Sequence, residues 1–381
     1  MSEISWFCKF LGIYFSLLIL GALNIGPIGS VLKLIAFIPI VIWLINGGSI
    51  KKNPFIISYF FFFLISFLSY LWSINQEKSF ARLESLISFW ILIVAISGYT
   101  FSSRELLFLK ACLIWSSRIT LIIALFFSSR FEGRLFLSGV ISEDPNYLCC
   151  YIIFGIIGNI EIFLSDYSWK KKLLSVLEFS MYLYIVMATG SRGGAFAILF
   201  AVVTFILFYS PQKTVIILRS TKKIVFFICF FLCLFIVQSW VPADVLNRFS
   251  SEAVIESNGT GRYDIWNAAI QAFDNSDWFR KIFGYGSASA RDITYIFTFP
   301  VHNVIHNIFI ENLLEIGLIG FVSYSIYIAF FIIMAKKMNS IFSFSVIMGI
   351  CFLSLSTSLY AFKPYWNIML FIECLYFKKK W

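Results

Sequence analysis

His306 is one of only two histidines in this chain of 381 residues. It opens the run His306-Asn307-Ile308-Phe309-Ile310-Glu311-Asn312-Leu313-Leu314-Glu315-Ile316-Gly317, where a long polar stretch meets a hydrophobic one. An imidazole with an unperturbed pKa of about 6.5 can take a proton from a hydroxyl near neutral pH. The alternative is a hydrogen-bonded histidine of structural use only. Glu311 and Glu315 stand four residues apart, on one helix face. Two carboxylates so placed repel unless one is protonated or an arginine answers them. They would orient His306, hold an arginine, or serve as structural pairing. His302 lies four residues before His306, so which of the two histidines works stays open. A zinc site would need further ligands, and the two glutamates are more than a turn away, so no metal is expected.

A second constellation is Thr189-Gly190-Ser191-Arg192-Gly193-Gly194, at a tight turn between two apolar runs. Glycines let another group approach the backbone, and amides at the start of a helix favour anions. With the fixed charge of Arg192, this is a candidate diphosphate seat; a plain hairpin turn is the other reading. Arg118 stands inside an apolar run, where a charge should face the bundle interior or a polar cavity. Arg262, Arg280 and Arg291 lie in a long polar loop. The arginine fork suits bidentate binding of phosphate or carboxylate. Ordinary salt bridges with Glu132, Glu143, Asp144, Asp264 and Asp292 compete with that reading.

The elements that position these residues follow from composition. Sixty per cent of the chain is hydrophobic and 13% is charged, against about a quarter charged in soluble proteins. The chain reads as an all-α polytopic integral membrane protein. At about 20 apolar residues per crossing, about twelve transmembrane helices are expected: 6–23, 28–45, 54–73, 86–101, 105–127, 146–164, 173–189, 193–210, 224–240, 307–334, 341–360 and 365–378. The domains are then helices 1–9 in residues 1–240, a large loop at 241–306, and helices 10–12 in 307–381. Lys33, Glu161, Glu178 and Glu373 lie near span ends and are expected to snorkel. Asp144-Pro145-Asn146 would cap the sixth span.

The +10 net charge raises the question of nucleic acid. Most lysines, however, cluster in short loops between apolar runs, as the positive-inside rule expects, so no nucleic-acid partner is inferred. Lys51/Lys52, Arg104, Lys170–Lys172, Lys213/Arg219/Lys222/Lys223, Lys336/Lys337 and Lys378–Lys380 mark the cytoplasmic side, with both termini inside. Outer loops hold Arg82, Arg130, Arg134, Arg192, Arg248, Arg262, Arg280 and Arg291. The eight cysteines lie in or beside apolar runs without C-x-x-C spacing and read as buried hydrophobes. In the long loop, Ile265, Trp266, Ala269, Ile270 and Phe273 make one apolar face of an amphipathic helix within 262–283. Thr260 would cap it, Trp266, Trp278 and Phe279 suit the bilayer interface, and Gly284-Tyr285-Gly286 makes a turn. Asn258-Gly259-Thr260 matches a glycosylation sequon, a pattern frequent by chance.

In order, Ser191-Arg192-Gly193, Gly261-Arg262 with Ile265-Trp266, Gly284-x-Gly286, His306-Asn307, Glu315-x-Gly317 and Gly320 resemble the O-antigen ligase and O-antigen polymerase superfamily over roughly residues 130–325. The resemblance implies a GT-C-like bundle with one large outer loop. It also implies a metal-independent glycosyltransferase without cofactor, in the bacterial inner membrane. Such an enzyme moves a glycan from undecaprenyl diphosphate to an acceptor hydroxyl. The family's functional residues carry over to His306, Arg192 and Arg262. Arg118, Arg280, Arg291, Glu311 and Glu315 are the further substrate-binding candidates. Membrane lipid, a flippase and a chain-length regulator are the implied partners. Asp144-Pro145-Asn146-Tyr147 and the modest size look more like a polymerase. Ligase remains the first alternative, and a lipid-linked oligosaccharide flippase or transporter is the alternative of another class. The absence of a D-x-D fits the metal-free branch.

Overall fold

The computed structural model describes residues 3–22, 28–137, 145–210, 216–256, 261–298, 304–359 and 362–379. Almost all regular structure is helical. The two strands, β1 (Ser129–Phe131) and β2 (Arg134–Phe136), form a short antiparallel hairpin. Its turn residues Glu132 and Gly133 both have positive φ, as a type I′ hairpin turn requires. The chain forms two compact units that interleave in sequence.

The first unit holds α1 (Trp6–Ser16), α5 (Ser103–Phe126), α6 (Pro145–Leu164), α7 (Trp169–Ala188), α8 (Arg192–Phe208), α9 (Ile216–Gln238), α10 (Ala243–Asn247), α16 (Ile341–Leu353) and the hairpin. Its centre is α6, buried along most of its length and packed against α5, α7, α8 and α16. Small residues set the close approaches. A Cβ on Gly155 would strike the Tyr182 hydroxyl, and one on Gly349 would strike Ala201. Association between helices in lipid relies on such packing and on polar cross-links. Ser117 supplies one: its hydroxyl donates to the Tyr151 carbonyl at 2.7 Å and accepts from the Gly155 amide at 2.9 Å.

The second unit holds α3 (Pro54–Leu68), α4 (Gln76–Ser97), α11 (Ser251–Glu256), α12 (Arg262–Asp274), α13 (Trp278–Phe283), α14 (Ala290–Thr298), α15 (Ile308–Lys337) and α17 (Lys363–Tyr376). Residues of α2 (Ile28–Ile45) belong to both units. Its core is aromatic: Tyr59 of α3 meets Tyr327 of α15 and Trp366 of α17 edge-on, with centroids 5.4 Å apart in both pairs. The Tyr59 hydroxyl donates to the Leu86 carbonyl of α4 at 2.8 Å. A buried tyrosine needs such a partner.

The all-α membrane class stands, but the count of twelve crossings is not reached by length and hydropathy. Six helices among the described residues are long and apolar enough to cross a bilayer: Pro54–Trp72, Gln76–Ser97, Ser103–Phe126, Pro145–Leu164, Ser220–Gln238 and Ile308–Lys337. Leu34–Ile45, Arg192–Phe208 and Ile341–Leu353 are apolar but shorter. Of the remaining expected spans, α1 gives way to a 3-10 turn after Ser16, α7 carries three lysines and Glu178, and α17 is 14 residues long with Glu373.

Of the acids expected to snorkel, one is enclosed and two are paired. Glu373 is fully buried. Glu161 pairs with Lys110 at 2.5 Å and Glu178 with Arg118 at 3.0 Å. The side chain of Lys33 lies outside the described residues. The loop helix also differs from its expected form. The stretch 262–283 breaks into α12 and α13, and α12 buries Ala268, Ala269 and Ala272. Ile270, assigned to the apolar face, is 44% exposed. The alanines let α12 lie close on α14, with Trp266 and Phe273 packed at the margin of that contact.

Candidate functional site

In the second unit, α15 is two helical pieces joined at Gly317, whose φ of 67° and ψ of −170° are not helical. A break of this kind removes the amides that would have bonded the carbonyls just before it. Two of those carbonyls find other donors. Leu314 accepts from the Tyr285 amide at 3.1 Å and Glu315 from the Gly286 amide at 2.8 Å. Gly284 has φ 75°. A Cβ there would strike the Glu315 carbonyl, and a Cβ on Gly317 would strike the carbonyl of Ile282. The Gly-x-Gly and Glu-x-Gly motifs are thus the two faces of one backbone joint. The Tyr285 carbonyl in turn accepts from the Ile74 amide at 3.2 Å.

Above this joint the two glutamates share one arginine. Arg82 of α4 reaches Glu315 at 2.6 Å and Glu311 at 3.2 Å. Glu315 is 1% exposed and Glu311 6% by side chain. Glu315 also accepts from the Ala290 amide at 3.2 Å. Sequence reasoning left open whether one glutamate is protonated or an arginine answers the pair; it did not identify Arg82, which lies 229 and 233 residues away along the chain. The glutamates hold α15, α4 and the start of α14 together.

His306 immediately precedes α15. It is partly buried, with a left-handed φ of 53°, a region that histidine visits more readily than most residues. Both flanks are held. Asn307 caps the helix, accepting from the amides of Phe309 at 3.0 Å and Ile310 at 3.3 Å. The Ile308 amide donates to the Ser354 carbonyl at 3.0 Å. On the other flank, the Trp266 indole N–H donates to the Ile305 carbonyl at 2.8 Å. Ile305 itself joins Ala269, Ala272, Ala290, Ile293 and Leu314 in a small apolar cluster.

Arg262 is the first residue of α12, after Gly261 at φ 72°, and is partly buried. Arg280 is already occupied: it donates to the carbonyls of Trp72 at 3.2 Å and Gly284 at 3.4 Å and lies over the Tyr285 ring. Arg291 is exposed on α14. Its neighbour Asp292 pairs with Lys78 at 2.9 Å and accepts from Asn75 at 2.9 Å. His302, Glu143, Asp144, Thr260 and the Asn258-Gly259-Thr260 sequon lie outside the described residues.

In the first unit, Ser191 caps α8, its hydroxyl accepting from the Gly194 amide at 3.0 Å and bonding Asn146 of α6 at 2.5 Å. Gly190 turns the chain at φ 59°. Two arginines from elsewhere fasten that turn. Arg134 of β2 donates to the Thr189 carbonyl at 2.9 Å, and Arg248 to the Gly190 carbonyl at 3.4 Å. Arg192 follows directly. Its burial, and then the charge of Arg248, pull its pKa below the usual arginine value, although arginine stays charged. Three guanidinium groups gather around one turn at a helix start, an arrangement with the chemistry to hold an anion. Arg134 and Arg248 were visible in sequence only as outward arginines. Arg118 is bound up differently: it holds Glu178 bidentately at 3.0 and 3.1 Å, and Glu178 also accepts from Tyr182 at 3.1 Å. Among the described residues, no three His, Cys, Asp or Glu side chains gather as a metal site would need.

No curated protein matches the chain. A family model described as O-antigen ligase matches residues 179–325. That range contains the Ser191-Arg192-Gly193 turn, Arg262 and Trp266 on α12, both glycine motifs of the backbone joint, and His306-Asn307. Over residues 179–325, less than half of its length, this membrane protein is similar to the O-antigen ligase family.

Proposed function

We propose that the protein polymerises undecaprenyl-diphosphate-linked oligosaccharide repeat units into O-antigen or a related surface polysaccharide, in the bacterial inner membrane with both termini cytoplasmic. The observation that carries this reading is His306, held in a left-handed conformation at the head of α15 within the family-matched range. The acceptor sugar hydroxyl gives its proton to the imidazole as its oxygen bonds the anomeric carbon. The bond from that carbon to the diphosphate oxygen breaks, and the diphosphate leaves with the bonding pair. Arg192 and Arg262 are the residues assigned to the growing negative charge, with Arg134 and Arg248 beside Arg192. No metal takes part in this scheme.

A second reading is favoured by the description of the matched family: ligation of the glycan to lipid A-core. The test is deletion of the gene in a host that makes lipopolysaccharide, followed by gel analysis of that material. Core bearing a single repeat unit is the polymerase result. Bare core with long polymer stranded on polyprenyl diphosphate is the ligase result. Bare core with no exported repeats overturns both and points to a transporter. Complementation by His306→Ala is expected to fail, and by Arg192→Ala to fall about a hundredfold or more in transfer.

A further inference from the structure

We infer that Trp266 is a positioning residue for His306, acting through the Ile305 carbonyl. The inference deepens the proposed function and rests on its reading of His306 as the base. A left-handed φ at a non-glycine residue persists only where the surroundings fix it. At His306 the helix cap and the Ile308–Ser354 bond fix the following side. On the preceding side, the described contacts of Ile305 are its apolar packing and the 2.8 Å bond from the Trp266 indole.

That bond defines the orientation of the peptide plane entering His306, and with it the direction in which the imidazole leaves the backbone. Packing alone fixes the position of Ile305 but not the rotation of its carbonyl, because apolar contact is non-directional. A hydrogen bond supplies direction. Trp266 also stands one helical turn after Arg262 on α12, so the same helix that presents Arg262 sets the plane before His306. A shift of α12 therefore moves both residues of the reaction together.

The test uses the full chain in lipid nanodiscs, with isotope-labelled histidine. Two histidines give two sets of ring signals, and His306→Gln assigns them by loss. Trp266→Phe keeps an aromatic ring at the cluster and removes the indole donor along with part of the ring volume, which the packing control accounts for. The expected result is that the His306 signals shift and broaden while those of His302 stay. Transfer from a lipid-linked glycan then falls about tenfold to a hundredfold in kcat, with KM for the donor unchanged. Phe273→Leu is the packing control, since Phe273 borders the same cluster without a bond to Ile305. It should leave the His306 signals in place. Unmoved His306 signals in Trp266→Phe, or equal movement in Phe273→Leu, would overturn the proposal. Moved signals with full transfer activity would leave the positioning intact and remove His306 as the base.

Discussion

Arg82 sets the charge balance of a buried ionic cluster in the second unit. One guanidinium faces two carboxylates that are almost wholly enclosed. Removing it leaves like charges in a poorly solvated place, a change that typically costs about 3–5 kcal/mol. Arg82→Ala is therefore expected to lower the detergent-phase melting temperature sharply. Adding Glu311→Gln and Glu315→Gln to that variant should restore much of the loss. A triple variant no more stable than Arg82→Ala would show that charge is not the reason for the cluster. Sequence spacing made the need for a counter-ion legible, since two glutamates at i and i+4 must meet one or be protonated. The identity of the counter-ion was not legible, because it depends on the packing of α4 against residues more than two hundred positions distant. Arg118 gives the same lesson. A charge within an apolar run had to face the bundle interior or a polar cavity, but Glu178 looked like a snorkelling residue of another span until α5 and α7 were placed.

The motifs of the long loop were legible as short patterns but not as parts of one joint. Gly284-x-Gly286 read as a turn, and Glu315-x-Gly317 as the end of a family signature. Together they form a site where two backbones touch, and each glycine is required by positive φ and by lack of room. Gly317→Ala and Gly284→Ala should each destabilise by more than about 1 kcal/mol, the scale of strain at such a position. Both should lower the yield of folded protein recovered from membranes, whereas Gly48→Ala, which meets the strain of φ 55° but no close contact, should lose less. Equal recovery of all three would sink this account. The amphipathic helix was found in the right place but with a different buried stripe. Periodicity weights Ile270 by its hydrophobicity, while close helix packing selected the alanines.

At the scale of the whole molecule, composition and loop charge were enough to give the class. Helix lengths were less legible, because polytopic proteins tolerate spans that would not cross a bilayer alone when neighbours bury their polar groups. Glu373 shows why: it is fully enclosed within its unit, so its apolar run need not end where the charge falls. The lysine pattern predicts that a reporter fused after Lys379 will be active only on the cytoplasmic side, and that a cysteine placed at Glu132 will react with an impermeant reagent added outside. Labelling of that cysteine only after the membrane is broken would reverse the orientation.

The joint between Gly284 and Gly317 has an evolutionary consequence. It closes a ring of chain, and α14 and His306 lie on the circumference. Lengthening such a ring costs little, about 0.6 kcal/mol for each doubling, and the closure keeps the change from reaching the spans. The chain between these two glycines can therefore change in length and sequence while the framework that carries it stays constant.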